Sequence, residues 1–201
     1  EMCIRDRNEG KTSVSFQLCL SLAESGKQTI LVDADLRKSV LRGRYKANRE
    51  KYGLSHYLSG QVELDDACCR TNVNNFDIIF AGPVPPNPSE LLGGDAFRNM
   101  LEVLRMKYDY VIVDTPPLGS VIDAAIVGAI CDGTVIVVES GAISYKFVQN
   151  VKEQLNKVGC RILGCVLNKV NTKKNPYYRK YYGHYYGNYY GNGQDGTEEA
   201  Q

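Results

Sequence analysis

Apolar and polar positions follow one another along this chain in blocks. Short apolar runs recur: Ile30-Leu31-Val32, Phe76 to Ala81, Tyr110-Val111-Ile112-Val113, Thr134 to Val138 and Ile162 to Leu167. Runs without a polar alternate face predict strands covered on both sides, as in parallel sheets. The segments between them have helical spacing. Lys11 to Ser25 sets Val14, Leu18, Leu22 and Ala23 on one face and meets a stop at Gly26, which suits a helix C-terminus. Ser144 to Val158 reads the same way, and Leu54 to Leu58 predicts a short helix closed by Gly60. Gly82-Pro83-Val84-Pro85-Pro86-Asn87-Pro88 is irregular, because proline fixes φ and lacks an N–H. It predicts a stiff loop, with Ser89 capping a helix that reaches Lys107. Strands alternating with helices predict an α/β fold: a mostly parallel sheet with helices on both faces.

Polar residues gain meaning from where they interrupt these runs. The strand expected from Gln28 to Asp35 ends in two carboxylates. In an extended chain, positions i and i+2 share a side, so Asp33 and Asp35 are expected to point together off its C-terminal end. Open α/β sheets bind ligands at that end. Asp114 closes a second apolar run, and an acid there can hold a metal-bound water. Gly10-Lys11-Thr12 precedes the first helix as the end of a phosphate loop does. In such a loop, backbone N–H groups cradle phosphates, the lysine reaches the terminal phosphates and the hydroxyl ligates Mg²⁺. The loop predicts a P-loop NTPase-like fold. The full motif wants a small residue five positions before Gly10, where Arg5 stands. Asn168, ending the last strand, is a candidate base contact or a simple cap.

Composition narrows the partners only slightly. The 201 residues carry a formal charge of +1, which favours no nucleic-acid or other charged partner. The seven cysteines lie mostly in apolar runs with no CxxC pair, as reduced, packed thiols do. No apolar run is long enough for a membrane span, and no signal peptide is evident. Arg37 to Lys51 is basic, as a solvated face or an anion contact would be. Residues 1–7 fit neither pattern. Met2-Cys3-Ile4-Arg5-Asp6 is similar to translated sequencing-adapter DNA, so they are expected to be foreign. The natural chain is then expected to enter the loop from a hydrophobic strand, and the chain without it to bind nucleotide poorly. Residues 8–170 are expected to form the P-loop domain, lacking its first strand.

After Asn168 aliphatic residues nearly vanish, and residues 171–201 read as a mobile tail. Tyrosines recur there with a period of four: Tyr177, Tyr178, Tyr181, Tyr182, Tyr185, Tyr186, Tyr189 and Tyr190. Interspersed glycines oppose a helical stripe, each costing about 1 kcal/mol against alanine.

With the partial phosphate loop from Asn8 to Thr12, the Asp-ended strand from Ile30 to Arg37, the Val111 to Pro117 segment and the tyrosine cluster, the chain resembles the cytoplasmic kinase domain of bacterial tyrosine kinases (BY-kinases). Those kinases regulate capsular and exopolysaccharide synthesis. The resemblance implies ATP and Mg²⁺ as cofactors, with Asn8, Glu9, Gly10, Lys11, Thr12, Ser13 and Asn168 as nucleotide contacts. It implies Mg²⁺ held by Thr12, Asp35 and Asp114. It implies catalytic roles for Lys11, which neutralises phosphate charge, and Asp33, which takes the proton of an incoming tyrosine. The eight tail tyrosines are the implied phosphoacceptors, modified in trans within a homo-oligomeric ring. A membrane-embedded activator chain and a cognate tyrosine phosphatase are implied partners, with the kinase recruited to the inner face of the plasma membrane from the cytoplasm. This stretch of chain is expected to lack the family's N-terminal oligomerisation helix. Two rival readings are a partition-type P-loop ATPase switch and a tyrosine-rich interaction protein with a dead nucleotide site.

Overall fold

A computed structural model describes residues 9–44, 52–116 and 122–171. The chain divides into two units, Glu1–Asn168 and Lys169–Gln201. The first contains every element named below. In order they are α1 (Lys11–Glu24), β1 (Thr29–Asp33), α2 (Leu41–Arg44), α3 (Leu54–Leu58), α4 (Leu64–Ala67), β2 (Cys68–Arg70) and β3 (Phe76–Ile79). Then follow α5 (Pro88–Gly93), α6 (Asp95–Lys107), β4 (Tyr110–Asp114), α7 (Ile122–Ile130), β5 (Thr134–Glu139), α8 (Tyr145–Lys157) and β6 (Ile162–Asn168).

The strands form a four-stranded sheet in the order β2-β3-β1-β4 and a separate parallel pair, β5-β6. β1 lies parallel to both β3 and β4, and its last residue, Asp33, is in register with Asp114. β2 is antiparallel on the edge. The apolar run of β1 is explained by its two covered faces. Ile30 and Val32 pack among Leu54, Leu92, Phe97, Met100 and Leu104. Leu31, between them, points the other way, into Cys19, Ala23, Leu41, Phe76, Ile78 and Phe80. All five β1 residues are buried, and each large apolar side chain so covered contributes about 1.5–3 kcal/mol. A third cluster sits under β5, where Ile136 and Val138 meet Val151, Leu155 and Cys160.

Several expectations shift in detail. β1 stops at Asp33, so the pleat does not carry Asp35. The expected helix from Ser89 to Lys107 is two helices: Asn87 is the N-cap, Pro88 holds the N1 position, and extended Gly94 separates α5 from α6. Proline is preorganised for N1 and a glycine pair loses backbone order readily. Ser144 caps α8 by accepting a hydrogen bond from the Phe147 amide. The tail tyrosines, Asn8, Arg5 and the rest of residues 1–7 lie outside the described residues.

Candidate functional site

The site is built where three C-terminal strand ends meet the start of α1. Gly10, with φ 87°, caps α1 without a side-chain hydrogen bond. The N–H groups of the helix's first turn carry the positive end of the helix dipole. An anion is the natural complement. Asn168, at the end of β6, donates its amide N–H to the Glu9 carbonyl at 2.8 Å. A Cβ on Gly10 would collide with that same amide. Asn168 therefore buttresses the loop backbone, and glycine is needed at position 10 both for its positive φ and for this close approach.

Asp33 and Asp114 are 1% and 3% exposed, so two carboxylates lie side by side with little water. The Thr12 hydroxyl hydrogen-bonds Asp114, and Ser15 Oγ donates to its Oδ1 at 3.4 Å. Burial, above all, raises the Asp114 pKa; those two hydroxyls and the Lys11 charge pull it back, and the Asp35 charge adds to the rise. Asp33 is pushed up to about 7, first by burial, with the Asp114 and Asp35 charges adding and the Ser39 hydroxyl opposing. Ser39 Oγ donates to Asp33 Oδ2, and the Asp35 amide donates to Asp33 Oδ1 at 3.3 Å.

Asp35 reaches the same place by a turn rather than by strand geometry. Its Oδ1 accepts from the Arg37 amide at 3.2 Å and the Lys38 amide at 3.0 Å. Behind the turn, Arg37 is clamped. Its Nε donates to Asp123 Oδ2 at 2.7 Å and its terminal nitrogen donates to Asp123 Oδ1 and Ser89 Oγ. Asp123 is itself 1% exposed and also accepts from Ser89. A buried carboxylate thus ties the turn after β1 to α5 and α7. Lys11 turns its ammonium onto the Glu9 carboxylate.

The structure brings together Glu9, Gly10, Lys11, Thr12, Asp33, Asp35, Asp114 and Asn168 around one loop, with Ser13 on the first turn of α1. Asn8 and all eight tail tyrosines lie outside the described residues. Ser15, Ser39, Ser89 and Asp123 were not foreseen. Ser15 had a legible signal, being three residues from Thr12 and so on the same helix face; the others are assembled by tertiary packing. The oxygen donors fit a hard divalent cation. Thr12, Asp35 and Asp114 offer hydroxyl and carboxylate oxygens, and Asp114 is almost fully buried beside the start of α1.

A protein-family model described as an AAA domain matches residues 8–164. The chain is 46% identical over 169 residues to a protein named tyrosine-protein kinase CpsD from Streptococcus agalactiae, spanning 84% of this chain and 74% of that one. The solved kinase domain of the Escherichia coli tyrosine kinase ETK superposes with a TM-score of 0.78 at 39% identity, covering 82% of this chain and 64% of that one. The septum site-determining protein MinD of Pyrococcus horikoshii, solved with Mg-ADP, matches with a TM-score of 0.71 at 24% identity over 87% of this chain and 72% of its own. That last likeness speaks for the fold alone.

Proposed function

The chain belongs to the AAA domain family and, within it, to the bacterial tyrosine kinases, and from that premise we propose that it transfers the γ-phosphoryl group of ATP to tyrosines of its own tail in the control of capsular polysaccharide synthesis. The observation that carries the reading is the convergence of Asp33, Asp114 and Thr12 on one buried point beside the start of α1.

Each part has a task set by its surroundings. The first-turn N–H groups of α1 hold phosphate oxygens. Lys11 leaves Glu9 for the more highly charged β- and γ-phosphates. Thr12, Asp35 and Asp114 would hold Mg²⁺, which supplies neutralisation of phosphate charge when bound. Asp33 accepts the phenolic proton. A phenol has a pKa of about 10, so a positioned base helps to take its proton at neutral pH; burial raises the Asp33 carboxylate toward that role. Phosphoryl transfer otherwise asks mainly for positioning and charge stabilisation. The Asp123–Arg37 clamp keeps the turn bearing Asp35 in place.

Tyr177 to Tyr190 are the proposed acceptors, presented to a neighbouring copy in a ring. Each phosphotyrosine adds about −1.5 to −2 charges, so a fully modified tail is repelled by the carboxylate site and the ring loosens. A membrane-embedded activator chain recruits the kinase to the membrane; no helix among the described residues is long and apolar enough to cross one. A tyrosine phosphatase resets the tail.

The test mixes a Lys11→Met protein that keeps its tail with a tail-deleted active protein, Mg²⁺-ATP and the activator's cytoplasmic segment, and maps phosphotyrosine by mass spectrometry. Modification of the Lys11→Met tail is expected. An unmodified tail, while the intact protein alone is modified, would sink the trans mechanism.

A further inference from the structure

Helix α7 sends one carboxylate inward. Asp123 stands in its first turn and is 1% exposed, yet its hydrogen-bond donors, Arg37 and Ser89, belong to neither the phosphate loop nor the carboxylate set of the site. A carboxylate so buried has lost most of its hydration, and its attraction to Arg37 returns little net stability. As a staple the pair is poor value; what it does well is fix direction. The planar guanidinium meets both carboxylate oxygens, Nε on Oδ2 at 2.7 Å and a terminal nitrogen on Oδ1 at 3.3 Å. Ser89 Oγ accepts from that same terminal nitrogen at 3.0 Å. Such a fork holds Arg37 in one orientation. The base it is anchored to is firm: α5 and α7 run so close that a Cβ on Gly93 would already touch Ile126.

The backbone of Arg37, unlike its side chain, is part of the site. Its amide donates to Asp35 Oδ1 at 3.2 Å, and the Asp35 amide donates in turn to Asp33 Oδ1 at 3.3 Å. A displacement of Arg37 is therefore passed to both carboxylates. We propose that Asp123 is a positioning residue for the reaction: through Arg37 it holds Asp35 in the orientation needed of a Mg²⁺ ligand, and Asp33 with it. This role rests on Asp35 being a Mg²⁺ ligand, as proposed above, and it extends the metal site to a residue of α7 that touches no ligand itself. The phosphate-loop end of the site is held separately, by Asn168 on the Glu9 carbonyl. Loss of Asp123 is thus felt as a loss of metal rather than of nucleotide. A hydrogen-bond partner behind a metal ligand is worth about 10–100-fold in metal affinity or activity. The competing explanation is packing alone, because Leu36 lies in the same apolar cluster as Leu92 of α5 and Val127 of α7.

The experiment titrates ADP calorimetrically, with and without Mg²⁺, into the protein with its natural strand before the phosphate loop restored. Wild type, Asp123→Asn, Asp35→Asn and the double variant are compared. Asp123→Asn is expected to lower the Mg²⁺ enhancement of ADP affinity by about 10–100-fold and to leave the metal-free affinity unchanged. The double variant is expected to lose no more than Asp35→Asn alone, because both changes act through one carboxylate. Arg37→Lys alters a side chain that is 45% exposed. It keeps a cation beside Asp123 but not the fork, so it is expected to show the same loss in smaller measure, and it carries the test if Asp123→Asn does not fold. Full Mg²⁺ enhancement in Asp123→Asn, or in Arg37→Lys where that variant carries the test, beside a clear loss in Asp35→Asn overturns the proposal and leaves the metal site standing; Leu36 packing then suffices to hold the turn. A metal-free affinity that falls as far as the affinity with Mg²⁺ overturns it too, since that is the mark of a general loss of structure. Full enhancement in Asp35→Asn removes the metal assignment itself, and the role of Asp123 with it.

Discussion

The two sheets are built from similar apolar runs yet live in different surroundings. In the four-stranded sheet β1 has a partner on each side and a packed layer on each face, and all its residues are buried. In the pair, β6 has one partner, and Leu163 and Leu167 remain 61% and 48% exposed. The chemistry divides along the same line. The closed sheet carries Asp33 and Asp114, where water is scarce and pKa values move upward. The open pair contributes one amide, Asn168, which steadies the loop. A strand's own sequence makes it willing to be buried; its neighbours decide whether it is, and only the buried strand can perturb a carboxylate.

If the active chemistry belongs to the closed sheet, the largest effects follow substitutions there. In the protein with its natural strand before the phosphate loop restored, Asp33→Asn is expected to lower turnover by about 10²–10⁴-fold, the range for loss of a positioned base, with nucleotide affinity kept, since a base acts in the transition state. Asp114→Asn should lower turnover and Mg²⁺ dependence together, because a metal ligand acts in the ground state too. Initial rates against Mg²⁺-ATP and calorimetry with Mg²⁺-ADP separate the two patterns. Asn168→Ala, in the open pair, should cost less than tenfold and act mostly through KM.

Stability should divide in the same way. Leu31→Ala in β1 removes a fully buried side chain and is expected to cost about 2–5 kcal/mol. Leu163→Ala in β6 removes one already exposed and should stay within about 0.5 kcal/mol. Urea unfolding of both variants reads the contrast, and equal losses would break it.

The same carboxylate leaves a pH signature. The Asp33 pKa is about 7 when folded against 3.8 otherwise. The folded state therefore holds this proton more tightly, and its ionisation costs stability as pH rises through that window. The cost is absent below about pH 4 and complete above about pH 7. In metal-free protein, Asp33→Asn should raise the unfolding temperature at pH 8 and leave it unchanged at pH 4. A gain at pH 4 as large as at pH 8 would show that the group is not held at that pKa.

Much of this was legible in the chain, for physical reasons. Runs such as Ile30-Leu31-Val32 and Val111-Ile112-Val113 announce strands covered on two faces, and acids at their ends mark the ligand-binding edge. Gly10-Lys11-Thr12 before a helix marks the phosphate end of the site. Local signals failed where tertiary packing decides. The run through Asp35 looked continuous, but its carboxylate accepts from two backbone amides of its own turn, and that ends the strand. Ser89 looked like a cap because serine usually is one; Pro88 takes the first turn instead and frees its hydroxyl for Asp123. The Arg37–Asp123 pair spans 86 residues, a separation at which no spacing rule operates.

The central claim is that the buried carboxylates of the closed sheet drive phosphorylation of tyrosine. The most direct measurement is phosphotyrosine mapping by mass spectrometry after the protein with its natural strand before the phosphate loop restored, as wild type and as Asp33→Asn, is incubated with Mg²⁺-ATP and the activator's cytoplasmic segment. Phosphate on Tyr177 to Tyr190 in the wild type, reduced at least about a hundredfold in rate in Asp33→Asn with unchanged nucleotide affinity, is the predicted result. An Asp33→Asn protein that modifies those tyrosines at the wild-type rate, or a wild type that hydrolyses ATP without forming phosphotyrosine, would contradict it.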